Sequence, residues 1–333
     1  MAKSTINFAK TTKITKYMDI LSETLKSLRI SGSVLFREEY VAPWAVAIPS
    51  VAKLKMLLGI KAGVQVAAFH LVEFGHCEIK LENGDQTVIE AGEMAICFSG
   101  VAHRIAQGQK SKALPVAALL KSGGNIFRPR SEGRTRGAAL TCGVFLLNDT
   151  ALNPLFAALP PLLHTSVNRG GEFHNLSGVA RLMAQEMERK PLGGSYIVER
   201  LLEVLCAEAI RLHIEATPDT GWLGAIKDPV VGRAMAGIHA TPGEDWSVQR
   251  LAQSVAISPS RFAARFTATL GVSPMAYVAQ WRMNVACRLL SGTQQSVAQV
   301  AEAVGYQNLP AFNRAFKKQV GLPPATWRAR ASL

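Results

Sequence analysis

The pattern of apolar and polar positions changes character twice along the 333-residue chain. From about residue 30 to 150, short β-type runs at 45–48, 65–71, 77–81, 87–89, 94–98, 116–120 and 139–146 alternate with turns rich in Gly, Asn and Asp. Short, regularly spaced strands of this kind predict a sandwich or barrel. Asn83-Gly84-Asp85, set between two runs, predicts a hairpin. Beyond residue 172 the period becomes helical. Leu176, Val179, Leu182, Met183 and Met187 make one stripe, and Ile197, Leu201, Val204, Leu205, Ala209 and Leu212 a second. Pro191-Leu192-Gly193-Gly194 divides them, which predicts two antiparallel helices beside the β-rich half. The run Ala216 to Asp228, with Pro218, Gly221 and Gly224, reads as a flexible linker.

After the linker the chain repeats itself. Ser247-Val248-x-x-Leu251-Ala252-x-x-Val255-Ala256 recurs 49 residues later as Ser296-Val297-x-x-Val300-Ala301-x-x-Val304-Gly305. The offset then becomes 50, matching Phe262, Phe266, Gly271, Pro274 and Tyr277 with Phe312, Phe316, Gly321, Pro324 and Trp327. In the first copy Val248, Leu251, Ala252 and Val255 form the inner stripe of a short helix capped by Ser247. Ser258-Pro259 then starts a second helix, since proline at the first helical position gives up no intrahelical bond. Phe262 and Phe266 lie four apart on its inner face, and Gly271 ends it. In the second copy Asn308 takes the capping place, Pro310 sits in the first turn, and Phe312 and Phe316 repeat the inner pair. Pro274 to Leu290 reads as one helix connecting two helix-turn-helix units.

Charge sharpens this picture. Of the net +13, residues 229–333 carry +8, from eleven Lys or Arg against Glu244, Asp245 and Glu302. Residues 1–165 carry +7 and 166–228 carry −2. A basic repeat points to a polyanion partner. A helix fits the major groove of DNA, where arginine and amide groups read base edges and further cations meet phosphates. The outward positions of the second helix of each pair are Ser260, Arg261, Ala264 and Arg265 in the first unit, and Leu309, Pro310, Asn313, Arg314, Lys317 and Lys318 in the second. Arg261, Asn313 and Arg314 are assigned to base reading; Arg265, Arg282, Lys317 and Lys318 are assigned to the phosphate backbone. The five cysteines lie far apart without a C-x-x-C pair, which suggests neither a disulfide framework nor a zinc site and fits a reducing cytoplasm. The basic stretch 1–16 has no apolar core, and the longest apolar runs stop near ten residues, so neither a secretory signal nor a membrane span is expected.

Residues 229–333 resemble the DNA-binding domain of AraC-type regulators. Gly305-Tyr306-x-Asn308-x3-Phe312-x-Arg314-x-Phe316-Lys317-x3-Gly321-x2-Pro324 is similar to the C-terminal signature of that family. The resemblance implies two recognition helices entering successive major grooves about 34 Å apart. Leu309 and Pro310 depart from it, because neither side chain offers a hydrogen bond where the family often has polar residues.

Gly92-x5-Phe98-x-Gly100-x2-His103 resembles the second cupin motif, with Phe98 in place of proline and Gln107 in place of asparagine. Together with Phe69-His70-Leu71-Val72-Glu73 and Thr141-Cys142-Gly143, it is similar to the cupin-type sensing domain found joined to AraC-type DNA-binding domains. The first-motif metal ligands of cupin enzymes are absent: Ala68 stands at the glutamate position, and Lys61, Ala62, Gly63 and Val64 fall where histidines belong. His103 matches alone, although His70 and His76 can regroup with it. No metal, cofactor or catalysis is therefore expected. Trp44, His70, His103 and Arg104 are the candidate effector-binding residues; Cys77, Cys97 and Cys142, the first two on neighbouring candidate strands, are redox candidates for an alternative, oxidation-responsive regulator, and a metal-dependent cupin enzyme is the further alternative.

The expected fold is mixed α+β. It comprises a basic tail (1–16), a cupin-like β-barrel with helices (17–165), a helical dimerisation region (166–216), a linker (217–228) and an all-α tandem helix-turn-helix domain (229–333). The partners implied are double-stranded promoter or operator DNA, a small-molecule effector, a second copy of the chain and RNA polymerase.

Overall fold

A computed structural model describes residues 20–61, 64–98, 100–108, 111–121, 137–148, 152–166, 176–216 and 221–332. The basic tail expected over 1–16 lies outside them. The first half is a curled sheet of nine strands with path β1-β8-β3-β6-β2-β7. These are β1 (Ser31–Tyr40), β2 (Trp44–Ile48), β3 (Gln65–Leu81), β6 (His103–Gln107), β7 (Leu114–Pro115) and β8 (Ala138–Leu147). Off this path, β4 (Gln86–Glu90) pairs with β3, and β5 (Glu93–Cys97) pairs with both β3 and β9 (Leu162–Ser166).

The 17-residue β3 joins two runs expected as separate strands. Its first part lies between β8 and β5, and its last part between β4 and β6. The bend comes at the irregularity between Val72 and Phe74, followed by Gly75 at φ +72°. A side chain on Gly75 would collide with the Gly137 carbonyl, so this crossing requires glycine. The hairpin expected at Asn83-Gly84-Asp85 joins β3 to β4 with Lys80 opposite Gln86. The run 116–120 is instead helix α3 (Val116–Lys121), which buries only Val116 and Leu119. An apolar run of that length does not distinguish strand from helix.

The earlier helices are α1 (Ile20–Leu28), α2 (Val51–Leu58) and α4 (Pro154–Ala158). The two expected helices are α5 (Leu176–Arg189) and α6 (Gly194–Ala216), packed on each other, with α6 also lying on β1. Leu176, Met183, Leu205 and Ala209 turn inward, whereas Leu182, Ile197 and Val204 are about half exposed. Arg37 of β1 ties this layer together, because its guanidinium donates to Glu73 on β3 and to Glu188 on α5.

The stretch expected as a flexible linker differs in the structure. Residues 221–227 form helix α7 (Gly221–Lys227), with Trp222, Leu223 and Ala225 buried; 217–220 lie outside the described residues. Apolar burial here overrides the glycine and proline signals that suggested a linker. Helix α8 (Val231–Ala240) follows, then α9 (Val248–Ser254), α10 (Pro259–Leu270), α11 (Pro274–Gly292), α12 (Val297–Ala303), α13 (Leu309–Val320) and α14 (Pro324–Ser332). Trp222 Nε1 donates to the Tyr277 hydroxyl at 3.2 Å, and that hydroxyl lies 2.8 Å from His239 Nε2. The His239 ring stacks on Trp281 with centroids 3.6 Å apart. This buried hub fastens α7 and α8 to α11. Among the described residues, no helix is long and apolar enough to cross a membrane.

Candidate functional site

The sequence repeat is a structural repeat. Ser247 Oγ caps α9 by accepting from Arg250 N, and Ser258 Oγ caps α10 by accepting from Arg261 N. In the second copy Ser296 and Gln299 form a reciprocal capping box, and Asn308 Oδ1 accepts from Ala311 N. Phe262 and Phe266 meet with centroids 5.5 Å apart, and Phe312 and Phe316 at 5.6 Å. Each inner pair ends against the next aromatic at a steep angle, Phe266 on Tyr277 and Phe316 on Trp327. All four phenylalanines are fully buried, so the opposite faces of α10 and α13 are left to solvent.

Ser260, Arg261, Ala264 and Arg265 on α10 are exposed, as are Leu309, Pro310, Asn313, Arg314, Lys317 and Lys318 on α13. Leu309, Asn313, Arg314 and Lys317 border one hollow of about 420 Å³ beside Val297 and Pro323. The two faces are chemically unequal. With Phe262 aligned on Phe312, the counterparts of Asn313, Arg314, Lys317 and Lys318 are Ala263, Ala264, Thr267 and Ala268. Arg261 and Arg265 align instead with Ala311 and Ala315, a different row of the helix.

Two cations assigned to phosphate contact are engaged within the protein. Arg265 donates twice to Asp228 Oδ2, and Asp228 also accepts from the Val230 and Val231 amides at the start of α8. These amides and the Arg265 guanidinium hold the Asp228 carboxyl below its ordinary pKa, against a desolvation that pushes the other way. Arg282 donates from Nε to the Pro242 carbonyl and from Nη2 to the Glu244 carbonyl, both at 2.8 Å, and lies over the Tyr306 ring. It is a strut between the two units, because its position in the middle of α11 faces the loop before α9.

In the sheet domain, a cavity of about 860 Å³ is bordered by Ile48, Met56, Leu57, Leu81 and Val116, with Lys53, Lys80, Glu82, His103 and Arg104 adding polar groups. Two of the four residues expected to bind an effector, His103 and Arg104, therefore border this cavity. Trp44 does not: it is 1% exposed, stacks on Tyr40 and donates to Gln107 Oε1. His70 lies behind His103, and His76 faces solvent on β3. Lys53, Met56 and Leu57 went unnoticed in the sequence because α2 carries no motif.

His70 and His103 meet through their Nε2 atoms at 2.9 Å. His103 Nδ1 faces the Val101 carbonyl, which can only accept, so it carries the proton and His103 Nε2 is bare. His70 Nε2 then donates to it, and His70 Nδ1 accepts from the Cys142 thiol at 3.1 Å. Burial pushes His103 down to about 4 and His70 well below the usual histidine range, with the neighbouring ring adding to the effect on His70. Both rings are neutral. Burial also pushes the Cys77 and Cys97 thiols up to about 12, and raises Cys142 well above the usual thiol range, with the Glu73 carboxylate adding to the effect. All three thiols are buried and held protonated, the opposite of the exposed, thiolate-forming setting that oxidant sensing requires. Cys77 lies opposite Ile89 on β4 and Cys97 opposite Ala68 on β3, so these two redox candidates are not cross-strand partners. The two-histidine, one-glutamate set of cupin enzymes does not fit here, since Ala68 offers no ligand and Lys61 and Val64 no imidazole.

A curled sheet joined to paired helix-turn-helix units, the second with an exposed basic helix face, defines a DNA-binding regulator with a separate β-rich domain. Residues 19–215 match the family described as Cupin, and residues 251–330 match the Helix-turn-helix domain. An AraC-like transcription regulator of Streptomyces antibioticus is 32% identical over 79% of this chain and 87% of its own. The HTH-type transcriptional regulator AlkR of Acinetobacter baylyi is 28% identical over 79% and 87%. Among solved structures, an AraC-type transcriptional regulator from Chromobacterium violaceum is 27% identical over 31% of this chain and 93% of its own, with a TM-score of 0.30. The chain belongs to the AraC-type transcription regulators, carries a cupin-like N-terminal domain, and is a regulator rather than an enzyme.

Proposed function

We propose that this regulator binds a specific operator in double-stranded DNA through both units, and that a small effector in the sheet domain modulates this binding in the cytoplasm. The observation that carries the reading is the second unit, where Asn313, Arg314, Lys317 and Lys318 form an exposed face on a helix locked from behind by Phe312 and Phe316. Asn313 and Arg314 read base edges; Lys317 and Lys318 meet phosphates. Arg261, with Ser260 and Ala264, gives the first unit a lighter share of the readout, and Leu309 and Pro310 contribute apolar contact. The effector is a small, mainly apolar molecule with an acidic or polar end, because the 860 Å³ cavity has the size of a ligand site and sets Lys53, Lys80 and Arg104 around an apolar lining. A second copy docks through the exposed Leu182, Ile197 and Val204 of α5 and α6, and the bound dimer meets RNA polymerase at the promoter.

Fluorescence anisotropy with fragments of the promoters flanking the gene tests the DNA reading. One fragment should bind at least a thousandfold more tightly than scrambled DNA at equal salt. Equal affinity for all fragments, or none for any, refutes it. Screening small apolar acids for a thermal shift that changes operator affinity tests the effector reading, and sedimentation tests the dimer.

A further inference from the structure

We propose that His70, Cys97 and His103 form a binding site for a borderline or soft divalent cation, represented by Zn2+, inside the sheet domain. The proposal does not depend on which operator or effector the regulator uses. The three side chains come from three strands, β3, β5 and β6, and their ligand atoms lie within 4.8 Å of one another. All three are buried, so no mobile surface chain has to be ordered to bring them together.

The imidazoles face each other through Nε2 at 2.9 Å. On a tetrahedral ion with Zn–N bonds of about 2.0–2.1 Å, two such atoms stand roughly 3.3 Å apart. Opening the pair by a few tenths of an ångström admits the ion. The outer nitrogens are already held as those of metal-bound imidazoles are, His103 Nδ1 on the Val101 carbonyl and His70 Nδ1 against Cys142 Sγ.

Binding requires two proton movements. His70 transfers its proton from Nε2 to Nδ1, which then donates to the Cys142 sulfur, and both Nε2 lone pairs turn to the ion. The Cys97 thiol releases its proton to solvent as its sulfur bonds the metal. The site then carries one positive charge, and no atom is oxidised or reduced. Two imidazoles and a thiolate select zinc-like ions over magnesium or calcium. Three protein ligands leave a tetrahedral ion one exchangeable position, and His103 borders the 860 Å³ cavity, which supplies a route inward.

The test uses the full chain, stripped with a chelator and titrated with Zn2+ alone or with Co2+ as a spectroscopic probe. The expected result is one ion and one released proton per chain, with the visible bands of four-coordinate cobalt and a thiolate-to-cobalt charge-transfer band. Cys97→Ser should abolish the charge-transfer band, and His103→Gln should weaken binding by about a hundredfold or more. Cys142→Ser should weaken it by about 10- to 100-fold while keeping that band. Cys206→Ala, which alters a thiol in α6, should change nothing. No uptake of either ion by the unaltered chain overturns the proposal whether or not any variant folds, and so does a charge-transfer band that survives Cys97→Ser. Operator affinity, measured on the same samples, stands or falls separately.

Discussion

The unequal use of cations in the two units leads to a measurable difference in salt dependence. Lys317 and Lys318 are exposed on α13 without an acidic partner among the described residues, whereas Arg265 is held by Asp228 and Arg282 by two carbonyls. Each phosphate neutralised releases condensed counterions and contributes about −0.9 to the slope of log affinity against log salt. Lys317→Ala and Lys318→Ala should therefore each flatten the slope by about 0.9 per chain, and the double variant by about 1.8. Between about 50 and 200 mM salt, that double change removes about a tenfold drop in affinity. Arg282→Ala should leave the slope intact while costing about 1–3 kcal/mol of stability through its lost hydrogen bonds. Arg314→Ala should cost about 1–3 kcal/mol of binding, roughly 5- to 150-fold, and relax preference at one base pair. The assay is anisotropy on the tight promoter fragment at several salt concentrations, with urea melts on the same samples. A slope unchanged by Lys317→Ala and Lys318→Ala would put the DNA on another face. A slope flattened by about 0.9 in Arg282→Ala would refute the strut.

Phe312→Ala removes a fully buried ring at the centre of the second unit and should cost about 3–5 kcal/mol, read by urea melts; a loss below about 1 kcal/mol would mean that the paired rings do not form the unit's core. His239 is neutral in the folded chain because burial pushes it down to about 3. Its contribution to stability is therefore full above its unfolded value of about 6.5 and falls as pH drops, by about 1.4 kcal/mol per pH unit until the folded value is reached. His239→Gln should remove that share of the acid sensitivity between pH 6.5 and 4, and unaltered pH dependence of the melts would contradict it. Filling the sheet-domain cavity with Ala117→Trp should abolish ligand-dependent thermal shifts while leaving DNA affinity without ligand within about twofold. A preserved shift would move the effector site elsewhere.

The helix-turn-helix units were legible almost residue by residue because their determinants are local. Ser258 before Pro259, Asn308 before the first turn of α13, and phenylalanines four apart each act within one helical turn, and the repeat doubles the signal. The sheet was legible in texture and in its hairpin, but not in its pairing. That β3 continues through Gly75 into a second set of neighbours depends on Gly137, more than sixty residues away. Trp44 illustrates the same limit. An amphipathic ring near a strand end reads as a pocket residue, yet Tyr40 covers its face and Gln107 takes its N–H, leaving it nothing to offer a ligand. Arg265 and Arg282 fail for the complementary reason: helix periodicity tells which face a cation occupies, but an acid from the turn between α7 and α8, or carbonyls from the loop after α8, decide whether the charge is available. The convergence of His70, Cys97 and His103 shares this origin. Motif spacing finds ligands that neighbour one another along a strand, whereas these three come from separate strands: register sets Cys97 beside Ala68, near His70, but His103 pairs with Leu81 and reaches His70 only because the sheet curls.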